Sequence, residues 1–210
     1  MRPVLIGLGL GLLTSVVFSS CGGDDEVACD CAEVGCFADM CTKTVFVTRN
    51  AIPSNFGGIA AADALCAQEA AAAGLPGTYY AWLSDKTSSP FTRFSRSTVP
   101  YTLPDGAEIA ANYDALAVAV PPIAQHADAT PVPADDPDDD PQQVWTGTTI
   151  DGHPDTNNNA SNYCSDWTSN VITNFTLVGW IHSRVKPKFD WTRANLVPCT
   201  GVGYLYCFQQ

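Results

Sequence analysis

The chain is short of cations and histidines. Of 210 residues, ten are Lys or Arg against 22 Asp or Glu, a formal net charge of −12, and three are His. A negative surplus of that size repels polyanions, so nucleic acid, heparin-like polymers and anionic lipid are disfavoured as partners. The sequence has no Gly-x-Ser-x-Gly elbow, no His-Glu-x-x-His pair, no phosphate-binding glycine loop and no dinucleotide fingerprint. His126, His153 and His182 are scattered, and His153 and Asp155, spaced for acid–base work, flank Pro154, a turn signal. These absences lead us to expect no enzymatic activity and no catalytic residue. There is no internal repeat.

Cysteine is plentiful by contrast: nine residues fall into groups of one, four and four. The first, Cys21, follows a leader. Arg2 gives a positive start, Val4 to Phe18 is almost wholly apolar yet too short to span a bilayer comfortably, and Ser19 and Ser20 are small, as cleavage requires. Phe18-Ser19-Ser20-Cys21 resembles a bacterial lipobox, with Phe18 where Leu is usual. In such a motif the cysteine is acylated and becomes the mature N-terminus. The expectation is a signal peptide over residues 1–20 and a lipoprotein held in the bacterial cell envelope, at the outer membrane or cell surface, by acyl chains at Cys21.

Residues 21–42 read as a tether. They are acidic and poor in apolar side chains, so they cannot build a core. Cys29, Cys31, Cys36 and Cys41 substitute for one. Their spacing lacks Cys-x2-Cys knuckles and the compartment is oxidising, which favours two small disulfides over zinc. Cys29 and Cys31 are poorly placed to bond each other, which leaves two pairings open.

Residues 43–210 have the composition of one globular domain. Thr44–Thr48 is rich in β-branched and aromatic residues and reads as an opening strand. Ile59–Ala73 is an Ala-rich helix whose Ile59, Ala62, Cys66, Ala70 and Ala73 share a face, with Gly74 as its stop. Further strands are expected at Tyr79–Leu83, Val99–Leu103, Phe175–Ile181 and Gly203–Phe208, with a brief helix at Asn112–Ala117. Pro- and Asp-rich residues 118–142 read as an exposed loop, Val144–Gly147 as a return to the core, and Asp151–Asn162 as a polar loop. The fold class is α+β, with short, mostly antiparallel strands, one main helix and long loops. By themselves, Cys66, Cys164, Cys199 and Cys207 allow three pairings.

An ordered series of short matches runs along this domain: Gly57-Gly58-Ile59 with Ala62-Asp63 and Cys66, Ala73–Thr78, Ala81–Ser84, Val144–Gly147, Tyr163–Trp167, Cys199 and Tyr204–Phe208. It resembles endostatin, the C-terminal domain of type XV and XVIII collagens, which has a C-type-lectin-like fold. It is also similar to a domain-of-unknown-function family in bacterial surface lipoproteins. The resemblance implies disulfides Cys66–Cys207 and Cys164–Cys199, and core roles for Trp145 and Trp167. It does not bring endostatin's zinc site, because residues 22–56 hold no histidine, nor its heparin-binding surface, because basic residues are too few. Arg93 and Arg96 lie near part of that surface and are expected to pair with carboxylates instead.

The candidate ion is calcium. Asp135, Asp136, Asp138, Asp139 and Asp140, with Asp151, Asp155 and Asn157 in the next loop, offer hard oxygens of the kind calcium takes. Neither an EF-hand spacing nor the Glu-Pro-Asn or Gln-Pro-Asp triplet of sugar-binding lectins occurs, so solvated acidic loops are the competing reading. Tyr79, Tyr80, Trp180 and Trp191 are candidates for a sugar-stacking or protein-binding surface. The functional expectation is a non-enzymatic extracytoplasmic domain that binds a protein or glycan. A calcium-dependent lectin and a structural envelope protein are the alternatives, and a hydrolase ranks behind both.

Overall fold

The computed structural model describes residues 42–117, 122–133, 142–156, 162–182 and 191–210. Cys21, Cys29, Cys31, Cys36, Cys41, Asp135, Asp136, Asp138, Asp139, Asp140 and Asn157 lie outside the described residues. The fold is α+β.

Its centre is strand β1 (Lys43–Val47), whose Val45, Phe46 and Val47 are all fully buried. Successive side chains of a strand point to opposite faces. Val45 and Val47 therefore join one apolar cluster with Trp82, Tyr206 and Phe208, while Phe46 joins a second with Ala62, Cys66 and Trp145. Burial on both faces explains a strand that is continuously apolar instead of alternating.

The rest of the chain is laid around β1. Strand β2 (Ile52–Pro53) precedes helix α1 (Ile59–Ala72), which is followed by β3 (Tyr79–Ala81) and the single turn α2 (Pro90–Arg93). Then come β4 (Tyr101–Thr102), β5 (Glu108–Ala110), a 3-10 turn at Asp114–Ala117 and β6 (Gln143–Trp145). A helical turn α3 (Tyr163–Trp167) leads to β7 (Phe175–Trp180), β8 (Asn195–Pro198), β9 (Val202–Gly203) and β10 (Tyr206–Gln209). The strands form a five-stranded sheet in the order β3-β10-β1-β4-β5, a three-stranded sheet β6-β7-β8 and the pair β2-β9. All pairings are antiparallel except β1 with β4. Tyr204 stitches the two larger sheets, donating its N–H to Gln143 and accepting from Trp145.

Helix α1 buries Ile59, Ala62, Cys66 and Ala70 along one face. Its alanines let it lie close to β3, and the Asp63 carboxylate accepts the Ala81 N–H at 2.9 Å. Gly74 closes it: with φ at 72°, its N–H reaches Ala71 O and that of Leu75 reaches Ala70 O, a Schellman ending. Gly179 in β7 is fixed by contact, since a Cβ there would fall 1.7 Å from the Trp191 carbonyl oxygen. The first cluster is aromatic, built on Trp82, whose ring centre lies 4.8 Å from that of Trp191 and 5.2 Å from that of Phe208.

Two features depart from the expectations. Residues 122–133 are not exposed loop: Ile123, His126 and Val132 are buried, and a small hairpin pairs Val132 N–H with Ala124 O and His126 N–H with Thr130 O. The apolar side chains there outweigh the prolines, which sit where no ladder donor is required. Turn α3 is left-handed, with φ between 51° and 64° from Tyr163 through Trp167. Five consecutive side-chain-bearing residues in that region cost about 1–2 kcal/mol each.

Two disulfides, Cys66–Cys207 and Cys164–Cys199, join residues 141 and 35 positions apart. The first ties α1 to β10 across the second cluster, and the second ties α3 to the end of β8. Closing loops of these lengths contributes about 5 and about 4 kcal/mol in the chain-entropy picture. Replacing Cys66 and Cys207 together by Ala should therefore lower the unfolding free energy by about 4–5 kcal/mol in urea titrations. A loss under about 1 kcal/mol would show that the bond does not restrain the unfolded chain.

Burial also holds five tyrosine hydroxyls, those of Tyr79, Tyr101, Tyr113, Tyr163 and Tyr206, above the ordinary phenol value of 10, with Tyr113 and Tyr163 pushed up to about 12. The unfolded chain gives up these protons first. The share from Tyr113 and Tyr163 is thus complete below pH 10 and is lost as pH rises from about 10 to 12, and the share from the more strongly shifted Tyr101 and Tyr206 is lost at higher pH still. Tyrosinate absorbance of the folded protein should lag that of the urea-unfolded chain across this window, and coincident curves would refute the burial effect.

Candidate functional site

The described part of the polar loop is a hairpin docked on the aromatic cluster. Asp155 N–H bonds Gly147 O at its base, Thr149 N–H bonds His153 O at 2.8 Å, and Gly152 N–H closes the tip on Thr149 O. Pro154 is bridged to Thr148 and sits in the hairpin stem, so the turn falls at Thr149–Gly152 and not at Pro154 as the sequence signal implied.

Both ends of the hairpin base rest on α3. Gly147 packs so close to Tyr163 that a Cβ would stand 2.7 Å from its ring, and the Tyr163 hydroxyl donates to Asp155 O at 3.0 Å. The turn itself is pinned residue by residue. Cys164 is in its disulfide, and Asn174 Nδ2 reaches Ser165 Oγ at 2.9 Å. The Asp166 carboxylate pairs with Lys86 at 3.2 Å, and Trp167 Nε1 donates to Ser84 O. This shell offsets the cost of left-handed backbone.

At its tip the hairpin meets α2. Phe91 N–H bonds Gly152 O at 2.9 Å, and the Phe91 ring stacks on His153 with centroids 3.7 Å apart. The Arg96 guanidinium lies 4.1 Å over the same ring and 5.7 Å from that of Tyr113. Between these parts runs a groove of about 300 Å³, and its Ile150, Asp151 and His153 also line a separate depression of about 400 Å³ that includes Arg193. Cavities of this size suit small ligands. Asp114 and Asp151 stand on its walls. Burial of Asp151 acts to raise its pKa but is outweighed by hydrogen bonds, chiefly from the Thr149 hydroxyl, so its carboxyl titrates below the usual range.

The charges in the groove are unusual for this molecule. The described cations are Lys43, Arg49, Lys86, Arg93, Arg96 and Arg193. Arg49, Lys86 and Arg93 form ion pairs with Asp128, Asp166 and Asp63, and Lys43 donates to Ser95. Arg93 thus pairs with a carboxylate as expected. Arg96 does not: its guanidinium lies over two aromatic rings, and among the described residues neither it nor Arg193 forms an ion pair. A rigid aromatic platform satisfies the guanidinium face while leaving its N–H edge free.

Other candidates from the sequence fall elsewhere. Asp151 is exposed on the groove, whereas Asp155 is 2 % exposed beneath the hairpin. Among the described residues no three His, Cys, Asp or Glu side chains come close enough to hold a metal ion. Tyr79 and Trp191 are buried, and Tyr80 and Trp180 are half-buried against the two clusters. They are core, so these four do not form a stacking surface. Trp145 and Trp167 are fully buried, donating to Ile52 O and Ser84 O. His126 is buried beside Val47 O, and the His182 ring reaches Val132 O, so neither faces the groove. No helix among the described residues is long and apolar enough to cross a membrane. The sequence reading did not single out Phe91, Tyr113 or Arg193, because the groove joins segments about 100 residues apart.

Comparison with known proteins gives no further assignment: no family model and no curated protein matches the chain.

Gly152 is the point where hairpin and platform meet. Its φ is 83°, and a Cβ there would lie 2.3 Å from the Tyr113 hydroxyl and 3.3 Å from Phe91 N. Gly152→Ala should cost about 1–3 kcal/mol. It should also bring the Tyr113 hydroxyl back toward the ordinary phenol range by exposing it. Thermal melts and tyrosine titration would report both, and an unchanged melt would show that the contact is slack.

Proposed function

We propose that residues 43–210 form a non-enzymatic binding domain of a lipid-anchored envelope protein, and that the Phe91–Arg96–His153 groove is its contact face. The observation that carries this reading is the pair Arg96 and Arg193. In a chain of net charge −12 they have abundant carboxylates to choose from, yet they line two depressions that share Ile150, Asp151 and His153, with no ion pair among the described residues. Donors held ready and uncommitted on a rigid scaffold are what recognition of a partner requires.

The lipobox-like Phe18–Cys21 supports placement outside the cytoplasm, and the endostatin-like, C-type-lectin-like series of residues supports a domain that presents loops to a protein or glycan. The two disulfides fit an oxidising compartment. Cross-linking on intact cells tests the reading. The wild-type protein should capture a discrete partner, and the variant Arg96→Glu with Arg193→Glu should lose it while remaining folded by circular dichroism. Equal capture by both would remove the groove from the contact face, and no capture by either would favour a structural role.

A further inference from the structure

The groove holds opposite charges that face the same space without closing on each other. Arg96 is fixed by Phe91 and Tyr113, and Asp151 by the Thr149 hydroxyl, with Asp114 lining the same groove and Arg193 lining the separate depression that shares His153. No ion pair forms among these four. Arg96, Asp114 and Asp151 line the groove together with Tyr113, and the Arg96 guanidinium lies 5.7 Å from the Tyr113 ring centre. Tyr113 is 5 % exposed, lines the groove, and its hydroxyl has no hydrogen-bond partner among the described residues.

Different ligands fare differently against this lining. A simple anion would satisfy Arg96 but meet Asp114 and Asp151, and it would approach against the net charge of the whole chain. A simple cation meets the reverse conflict in the groove. A neutral sugar would hydrogen-bond but leave the charges of both signs unmatched. Only a molecule with both signs a few atoms apart and no net charge complements the lining and works against no long-range field. Resting on the reading of the groove as the contact face, we propose that it binds a zwitterion of the α-amino-acid type, its carboxylate on the Arg96 guanidinium edge and its ammonium on Asp151 and Asp114. Guanidinium forks suit a carboxylate in two-point contact, and carboxylates suit an ammonium.

The test uses the whole chain purified in detergent, with glycine, acetate, methylammonium and glucose as probes, followed by calorimetry and by amide resonances of Gly152 and His153. Glycine should bind and shift those resonances, with acetate and methylammonium at least tenfold weaker and glucose inert. Asp151→Asn should weaken glycine at least tenfold yet tighten acetate, because it removes the repulsion that acetate feels. Arg96→Gln should weaken glycine and tighten methylammonium, a crossover that mere loss of folding does not produce. Acetate bound as tightly as glycine, or glycine not bound at all, would overturn the proposal. If glycine fails while charge reversal at Arg96 and Arg193 still abolishes cellular cross-linking, the contact face stands and only the zwitterion is lost.

Discussion

Strand β10 lies between β1 and β3, and Cys207 within it is bonded to Cys66 on α1. Tyr206 and Phe208 enter one apolar cluster, while Cys207 enters the other. Segments that are remote in sequence, residues 43–47, 59–83 and 206–209, are thereby held at one place, and both cores close only when the end of the chain is in position. The pairing is strongly non-local, which makes closure slow by loop entropy and makes the disulfide more valuable once formed.

The groove depends on that centre at one remove. Trp82 follows β3 directly and touches Phe94, Tyr113 and Trp191 as well as Phe208, so the sheet fixes the aromatic cluster on which α2 and the hairpin sit. The hairpin base is set from the other side by the left-handed turn at Tyr163–Trp167. A costly backbone conformation is retained where it supports the loop that carries Asp151 and His153, with the cost met by a disulfide and five specific hydrogen bonds or ion pairs. Rigid support of this kind gives a surface loop defined geometry.

Much of the fold was legible in residue pattern. The β-branched run at residue 44, the one-faced helix from Ile59 with its Gly74 stop, and the strands at Tyr79, Phe175 and Tyr206 follow from local physics that tertiary contacts reinforce. The short strands at Ile52, Glu108, Asn195 and Val202 were missed because two- to four-residue pairings carry no period. Residues 122–133 were misread because proline content marks loops only on average, and Ile123 and Val132 outweigh it. The left-handed turn had no signal, since Tyr163-Cys164-Ser165-Asp166-Trp167 contains no glycine. The pairing of the four domain cysteines came from resemblance, not from spacing. The site was barely legible, as Asp151 and His153 were noticed but assigned to calcium or acid–base chemistry. Their actual neighbours, Phe91, Arg96, Tyr113 and Arg193, come from three other segments.

The central position of β1 has a mechanical side. Its ladder runs parallel to β4 at Lys43 and Thr44 and antiparallel to β10 from Val45 to Val47, so the strand is held on one edge where it begins and on the other where it ends. Load arriving through the chain before Lys43 pulls β1 along its own axis. The hydrogen bonds of both ladders then share the load in shear and must fail together, instead of opening one after another like a zip. A domain that enters its fold through an outer strand peels; this one is built to resist a steady pull from the end at which its chain arrives.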